Sequence, residues 1–238
     1  MKQLPAPFRD YMLHKYGVCL VLILTSVIVQ IAAPDSQVAH VLIVLLYGLT
    51  LLSAMTAADS PKSLYRLARI VVLFLVLASA GLSFGGQEIG DHATRISTLI
   101  LILVAPVVII RGLIRHGIEE GVVTVQTMFG VLCLYLLLGL AFASAYNVIA
   151  NLDSSSFWES GEETTSNFLF FSFSTMTTTG YGNLIPAGGM GRALATLESI
   201  LGQVYLVTVV AAIVGNLGRK TVVRRSPEKT RQRRSKSR

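Results

Sequence analysis

Long apolar runs separated by short polar segments dominate the chain. A helix of about 20 mainly apolar residues crosses the hydrocarbon core of a bilayer. Six runs approach or exceed that length, at residues 16–33, 40–58, 67–84, 96–113, 122–149 and 191–217. The first has no clear cleavage site after it, so we predict a retained helix rather than a secretory signal. The pattern predicts an all-α membrane protein with six transmembrane helices.

The segment between the fifth and sixth runs has a different pattern. It begins polar and acidic at Asn151 and becomes apolar and aromatic over residues 167–177. About eleven such residues are too few to span a bilayer, but they suit a re-entrant helix between two spans. A glycine-rich stretch, residues 178–183, follows it. Because non-helical backbone at membrane depth is tolerated where it lines a water-filled path, this arrangement predicts a pore.

Composition and charge support this topology. Hydrophobic residues make up 53% of the chain and charged residues only 14%, against about a quarter charged in soluble domains. Of the 20 Lys and Arg residues, all but Arg95 and Arg192 fall in segments that face inward if the N-terminus is inside. The positive-inside rule therefore predicts a multi-pass protein of the plasma membrane with both termini cytoplasmic. The basic excess lies mostly in the tail, so we expect no nucleic-acid partner.

Patterns typical of enzymes are absent from the sequence. There is no P-loop, no Gly-rich nucleotide motif and no catalytic triad signature, and no Cys/His spacing suits zinc. Cys19 and Cys133 lie in apolar runs, where they are expected as core or lipid-facing thiols. We therefore expect neither catalysis nor an organic cofactor.

Residues 175–182 carry the pattern T-x-x-T-x-G-Y-G. It resembles the signature of potassium channels, and the flanks are similar too: an aromatic helix before it, then Pro186, then Gly191-Arg192 at the start of the last span. The resemblance covers about residues 122–217. It implies a pore domain of helix, pore helix, filter and helix, assembled as a homotetramer that conducts K⁺. The implied ion-binding residues of the filter are Thr178, Thr179, Gly180, Tyr181 and Gly182.

The chemistry of such a filter explains its residue types. Rings of backbone carbonyls replace the hydration shell of K⁺. Successive carbonyls reach one axis only if the backbone alternates handedness, and Gly180 and Gly182 take φ > 0 without a Cβ penalty. Tyr181 is expected to point away from the axis. Its candidate packing or hydrogen-bond partners are Trp158, Phe170 and Phe171.

Two positions depart from the family pattern. Thr179 stands where Val or Ile is usual, so its hydroxyl can alter the bonds behind the filter. Asn183 replaces the usual Asp, which removes a charge from the outer mouth. Ser174 stands where some relatives carry an acid, and either bonds behind the filter or fills space. We expect K⁺ selectivity to survive both departures, with inactivation and blocker sensitivity open.

The last span carries the candidates for gating. Gly202 is either a hinge or a site of close helix packing. Gln203, Leu206, Val210 and Val214 share roughly one helix face, which predicts a pore wall with a hydrophobic constriction. Glu198 is the one ionisable residue well inside a span. It is either a pH-sensitive brace bonded to Ser172 or Thr175, or a hydrogen bond in the subunit interface.

The chain is predicted to divide into five parts. These are a cytoplasmic N-terminus (1–15), a four-helix peripheral region (16–114), a linker (115–121), the pore domain (122–217) and a basic cytoplasmic tail (218–238). Residues 96–110 contain no charge, so we expect little voltage dependence. The peripheral helices form a scaffold, or bind lipid or an accessory subunit. The tail either attracts anionic lipid or only fixes the topology.

Three rival functions remain open from the sequence. The first is a non-selective cation channel, in which Thr179 and Asn183 loosen the filter. The second is a secondary transporter, although those proteins have broken helices in two repeats and only one re-entrant segment is visible here. The third is a regulatory subunit whose filter does not conduct by itself.

Overall fold

The computed structural model describes residues 6–32, 37–85, 87–120, 125–152, 156–209 and 211–212. Helices account for most of them, and the segment between the last two helices is irregular. The first six helices are α1 (Ala6–Ala32), α2 (Gln37–Ala57), α3 (Lys62–Gly85), α4 (Gln87–Glu120), α5 (Val125–Leu152) and α6 (Thr165–Met176). A seventh, α7, covers residues 189–209. The all-helical prediction is therefore confirmed.

Four of these helices are long and apolar enough to cross a membrane. The stretches are Val38–Ala57 in α2, Lys62–Gly81 in α3, Arg95–Ile114 in α4 and Thr127–Leu152 in α5. The apolar part of α1, Tyr16–Ala32, is shorter. The predicted last span extends beyond the described part of α7. Six spans and their orientation consequently stay a prediction.

Helix α4 is longer than the sequence pattern suggested. It continues through Pro106 and ends at Glu120, so residues 115–120 of the predicted linker are helical. The only breaker between residues 114 and 120 is a single glycine, and isolated glycine weakens a helix without ending it. In the same way α1 begins at Ala6, inside the segment predicted as the cytoplasmic N-terminus.

The main core lies among α1, α2, α4 and α5. Its fully buried side chains include Ile23, Tyr47, Ile102 and Leu137, while α3 packs outside on α2 and α4. Both cysteines are buried in this core, Cys19 on α1 and Cys133 on α5, and both are free thiols. The core interpretation of these residues is thus correct, and the lipid-facing one is wrong.

Helix α6 is held by two clusters. Leu169 and Phe173 join the main core, and α6 also packs directly on α5 and α1. A second, aromatic cluster forms on its other side and includes Tyr146, Trp158, Phe168 and Phe171. At 12 residues, and about 1.5 Å of rise per residue, α6 is too short to cross a bilayer. The two clusters therefore fix both α6 and the irregular segment that follows it.

Candidate functional site

The start of α6 is fixed by side-chain caps. Thr164 takes the N-cap position, and its side-chain oxygen accepts a hydrogen bond from the backbone N–H of Asn167 at 3.1 Å. The preceding Glu163 accepts from the backbone N–H of Phe157 at 2.6 Å. Because the first N–H groups of a helix lack intrahelical partners, the Thr164 cap determines where α6 begins. The Glu163 bond ties the preceding segment to this start.

The end of α6 is tied directly to the glycine-rich stretch. The Ser174 carbonyl accepts hydrogen bonds from the backbone N–H groups of Thr179, at 2.8 Å, and Gly180, at 3.2 Å. The Thr175 carbonyl accepts from Thr178 at 3.0 Å. These bonds satisfy carbonyls that the last turn of a helix leaves free. They also place the first residues of the stretch directly beyond the C-terminal end of the helix.

The backbone alternates in handedness over residues 178–182. Thr178, Gly180 and Gly182 have φ of +58°, +55° and +75°, whereas Thr179 and Tyr181 do not have positive φ. The two glycines adopt this region without strain. Thr178 is a β-branched residue in the left-handed region, which is uncommon and is found mostly where the surroundings hold it. Gly180 and Gly182 thus have the positive φ that was predicted for them, and Thr178 has a positive φ that was not predicted.

A chain of hydroxyl groups links this stretch back to α6. The Thr177 hydroxyl donates to the Phe173 carbonyl at 2.6 Å, and the Thr177 and Thr179 hydroxyl oxygens are 2.8 Å apart. Each hydroxyl has one proton. Since Thr177 uses its proton on Phe173, Thr179 is the donor of the second bond. The hydroxyl that distinguishes Thr179 from a Val or Ile is therefore used in a bond beside the stretch.

Tyr181 contacts only one of its three predicted partners among the described rings. Its ring stacks on that of Phe170, with centroids 5.3 Å apart, and 68% of Tyr181 is exposed in the single chain. Trp158 and Phe171 instead pack against each other, inside the aromatic cluster. The indole N–H of Trp158 is buried without a hydrogen-bond partner in the described residues. Within one chain the structure thus brings Phe170 to Tyr181, whereas Trp158 and Phe171 lie in the aromatic cluster because the chain before α6 turns inward.

That inward turn is held by a short antiparallel bridge between Trp158 and Pro186. The N–H of Glu159 donates to the Ile185 carbonyl at 2.9 Å on one side of the bridge. The Glu159 carboxylate also forms an ion pair with Arg192, at 2.5 Å, and the Arg192 Nε donates to the Pro186 carbonyl at 2.9 Å. The segments before and after the glycine-rich stretch are thereby joined to each other and to the start of α7.

Glu198 lies on α7 and is fully buried in the single chain. One carboxyl oxygen, Oε2, accepts a hydrogen bond from the Tyr146 hydroxyl of α5 at 2.6 Å. The other, Oε1, is hydrogen-bonded to the Ser172 hydroxyl of α6. Of the two predicted partners, the structure brings Ser172 and not Thr175 to this carboxyl. Both of these hydrogen bonds lie inside one chain.

The contact of α7 with α6 is close at Gly202. A Cβ built at this position would lie 2.8 Å from the Met176 carbonyl oxygen, so the structure shows the close packing that was one of the two interpretations. Gln203 and Leu206 lie on the exposed side of α7. Val210 and Val214, the predicted constriction, lie outside the described residues.

The remaining predicted site residues are Ser174, Thr175 and Asn183. The Ser174 hydroxyl donates within its own helix, to the Phe171 carbonyl at 3.0 Å, so its backbone carbonyl and not its side chain reaches the glycine-rich stretch. Thr175 is half-buried and contributes its carbonyl, while Asn183 is exposed.

Several residues of this site were not predicted from the sequence. They are Tyr146, Thr177, Glu159 and Glu163, together with the bonding role of Arg192. Tyr146 lies 52 positions from Glu198, in a run where an aromatic residue looks like ordinary core. Thr177 could have been found from the sequence, because it belongs to an unbroken run of threonines directly before Gly180.

Comparisons with known proteins agree with this geometry. Residues 130–219, from early in α5 to beyond α7, match a family model described as an ion channel. An inward rectifier potassium channel, Kirbac3.1 of Paramagnetospirillum magnetotacticum, is 37% identical over 92 residues, which make up 37% of this chain and 28% of that protein. The chain thus spans little more than a quarter of the length of this curated relative. No solved structure matches the chain. The matched residues, α5 to α7, indicate an ion-channel domain of a membrane protein rather than an enzyme.

Proposed function

We propose that this chain is one subunit of a homotetrameric channel that conducts K⁺ selectively and passively, through a filter formed by residues 178–182. The observation that carries the proposal is the alternation of backbone handedness between Thr178 and Gly182. In such a strand successive carbonyls can point to one side, and four strands then form rings of oxygens that replace the hydration shell of K⁺. Backbone oxygens of Thr178, Thr179, Gly180 and Tyr181 are the proposed ion ligands.

The electrostatics of α6 support a cation near its C-terminal end. The C-terminal end of a helix carries a partial negative charge, worth about 0.3–1 kcal/mol for a nearby charge and more where the site is partly buried. The cap at Thr177 and the bonds from Thr179 and Gly180 to Ser174 hold the first residues of the glycine-rich stretch at this end. In the proposed channel, α6 is therefore the pore helix.

Exposure in the single chain supports several copies around one axis. Every residue from 177 to 183 is exposed, and exposed irregular backbone does not occur in contact with lipid. The α7 helix also presents apolar side chains to the outside, among them Ile200, Val204 and Val207. In a tetramer with closed symmetry, copies of the chain cover the backs of the filter strands and leave their front to water and ions.

The peripheral helices α1 to α4 have a different role in the proposal. Residues 96–110 of α4 carry no charge, so this region lacks the arginines that move in a voltage sensor. We assign it a supporting role, since α1 packs on α5 and α6 and α4 packs on α5. We place the channel in the plasma membrane with both termini cytoplasmic, from the distribution of Lys and Arg.

A non-selective cation channel is the second candidate, and it rests on two residues. Thr179 stands where the potassium-channel pattern has Val or Ile, and Asn183 stands where that pattern has Asp. If these features widen the filter, Na⁺ and K⁺ pass at similar rates. The Thr179 bond holds the strand to α6, which favours the selective channel.

Cation flux from liposomes that contain the purified protein tests the proposal. We expect K⁺ efflux well above Na⁺ efflux, and we expect Gly180→Ala to abolish it, because Gly180 has φ of +55° and a Cβ there costs about 1–2 kcal/mol. Gly188→Ala is the matched control, since its Cβ meets nothing within 4 Å and its φ is not positive. Equal loss of flux in both variants would contradict the role of the filter.

A further inference from the structure

The carboxyl group of Glu198 lies where α5, α6 and α7 meet, and among the described residues it has no charged partner. Its hydrogen bonds go to Tyr146 and Ser172. The titratable groups that act on it in the described structure are Tyr146 and Tyr135, both on α5, and no cationic side chain is bonded to it. A buried carboxylate without a cation is strongly unfavourable. The surroundings therefore favour a neutral group.

The count of protons gives an independent argument. The Ser172 hydroxyl oxygen lies 2.7 Å from the Gly139 carbonyl oxygen of α5, and it is also hydrogen-bonded to Oε1 of Glu198. Three oxygens in a row thus make two contacts, and each contact needs a proton between its oxygens. A serine hydroxyl supplies one proton and a carbonyl supplies none. The Tyr146 proton is already used at Oε2, so the second proton must belong to the carboxyl group.

We propose that Glu198 carries a proton at neutral pH and donates it to Ser172, which in turn donates to the Gly139 carbonyl. In this arrangement every group in the cluster has a partner. Tyr146 donates to Oε2, the carboxyl donates from Oε1, and the serine donates to the backbone of α5. One neutral side chain of α7 thereby holds the middle of α6 against α5.

This brace acts on the filter through a short path. Ser172 is two residues before Ser174, whose carbonyl accepts the N–H groups of Thr179 and Gly180. If Glu198 loses its proton, Ser172 has two acceptors and one proton, so one of its two contacts becomes a repulsion between oxygens. The effect on conduction rests on the proposed function, whereas the protonated state and the bracing of α6 do not.

Glutamine at position 198 separates the neutral and ionised alternatives. An amide is a neutral group with a donor and an acceptor, so Glu198→Gln can donate to Ser172 and accept from Tyr146 as the protonated acid does. Glu198→Ala removes both bonds. A protonated native state predicts that the glutamine variant keeps the native structure of α6, while an ionised native state predicts that it does not.

Infrared difference spectroscopy of the full chain in lipid vesicles tests the protonated state, with Glu198→Gln as the reference. We expect the C=O stretch of a protonated carboxylic acid at neutral pH in the wild type, shifted in D₂O and absent from the variant. A carboxylate band at neutral pH in its place would overturn the proposal. This measurement needs no current, so it remains decisive if the protein does not conduct.

Hydrogen exchange of the α6 amides tests the bracing. We expect protection like that of the wild type in Glu198→Gln and at least tenfold faster exchange in Glu198→Ala. Ser172→Ala, which breaks the same chain of bonds from the other side, provides a second variant should the first fail to fold. Unchanged exchange in both alanine variants would overturn the bracing role, whereas loss of protection in Glu198→Gln would overturn the protonated state.

Discussion

Replacing Gly202 with alanine tests how closely α7 packs against α6. The new Cβ would lie 2.7 Å from Met176 Cγ and 2.8 Å from the Met176 carbonyl oxygen, where ordinary van der Waals contact begins at 3.4 Å. A side-chain carbon can move aside, but the carbonyl belongs to the last residue of α6 and is fixed by the helix. We therefore expect the helices to separate, at the cost of about 1–3 kcal/mol that is typical of overpacking.

The control for this variant must account for helix propensity. Alanine is favoured over glycine in a helix interior by about 1 kcal/mol, which partly hides the packing cost. Gly81→Ala on α3 shows that gain alone, because nothing lies within 4 Å of its Cβ. The free energies of unfolding of both variants, measured by denaturant titration in mixed micelles, should differ by about the packing cost.

The result that refutes this reasoning is a Gly202→Ala variant as stable as Gly81→Ala. Such a result would mean that α7 does not lie against Met176 in the membrane. If it were accompanied by a change in the fraction of time the channel is open, the hinge interpretation of Gly202 would replace the packing one.

Each of three further variants removes one hydrogen bond or ion pair. Thr179→Val removes the donor to Thr177, so we expect the free energy of unfolding to fall by about 0.5–1.5 kcal/mol. We also expect K⁺ selectivity to be retained and a sustained current to decline faster. Glu159→Gln breaks the ion pair with Arg192. The side chains of Glu159 and Arg192 are 47% and 58% exposed, so we expect the free energy of unfolding to fall by less than about 1 kcal/mol, and by less again at high salt. Tyr146→Phe leaves a buried carboxyl oxygen without its donor, so we expect the free energy of unfolding, measured by denaturant titration, to fall by about 1–3 kcal/mol. An unchanged free energy of unfolding would mean that water replaces the hydroxyl.

The sequence predicted the part of the site that depends on local chemistry. Positive φ at Gly180 and Gly182 could be inferred because a carbonyl-lined strand requires it and glycine allows it. Positive φ at Thr178 could not be inferred, since it arises where the strand leaves the end of α6 and the bonds to Thr175 and Ser174 fix its direction. The short length of α6 was visible for the same local reason, as a brief apolar run between polar segments.

The partners of the site residues depended on packing that a sequence does not display. Glu198 was identifiable because a carboxyl group in an apolar run needs a partner, and Ser172 was among the candidates. Tyr146 was not, because an aromatic residue on α5 satisfies the apolar pattern whether or not its hydroxyl is used. Trp158 was assigned to Tyr181 by proximity in sequence, whereas the bridge to Pro186 turns it into the aromatic cluster.

The positions of the helices could be predicted from the sequence, but their ends could not. Apolar runs located the helices, but hydropathy marks where lipid ends and not where hydrogen bonding ends. The α4 helix therefore continues to Glu120, past the last apolar turn, and α1 begins ten residues before Tyr16.

The reversal potential of the purified protein in a planar bilayer is the direct test of whether residues 178–182 form a K⁺-selective filter. With K⁺ on one side and Na⁺ on the other, we expect a strong shift of the reversal potential toward the equilibrium potential of K⁺. A robust current that reverses near zero would contradict it, and would show a pore that does not discriminate between the two ions.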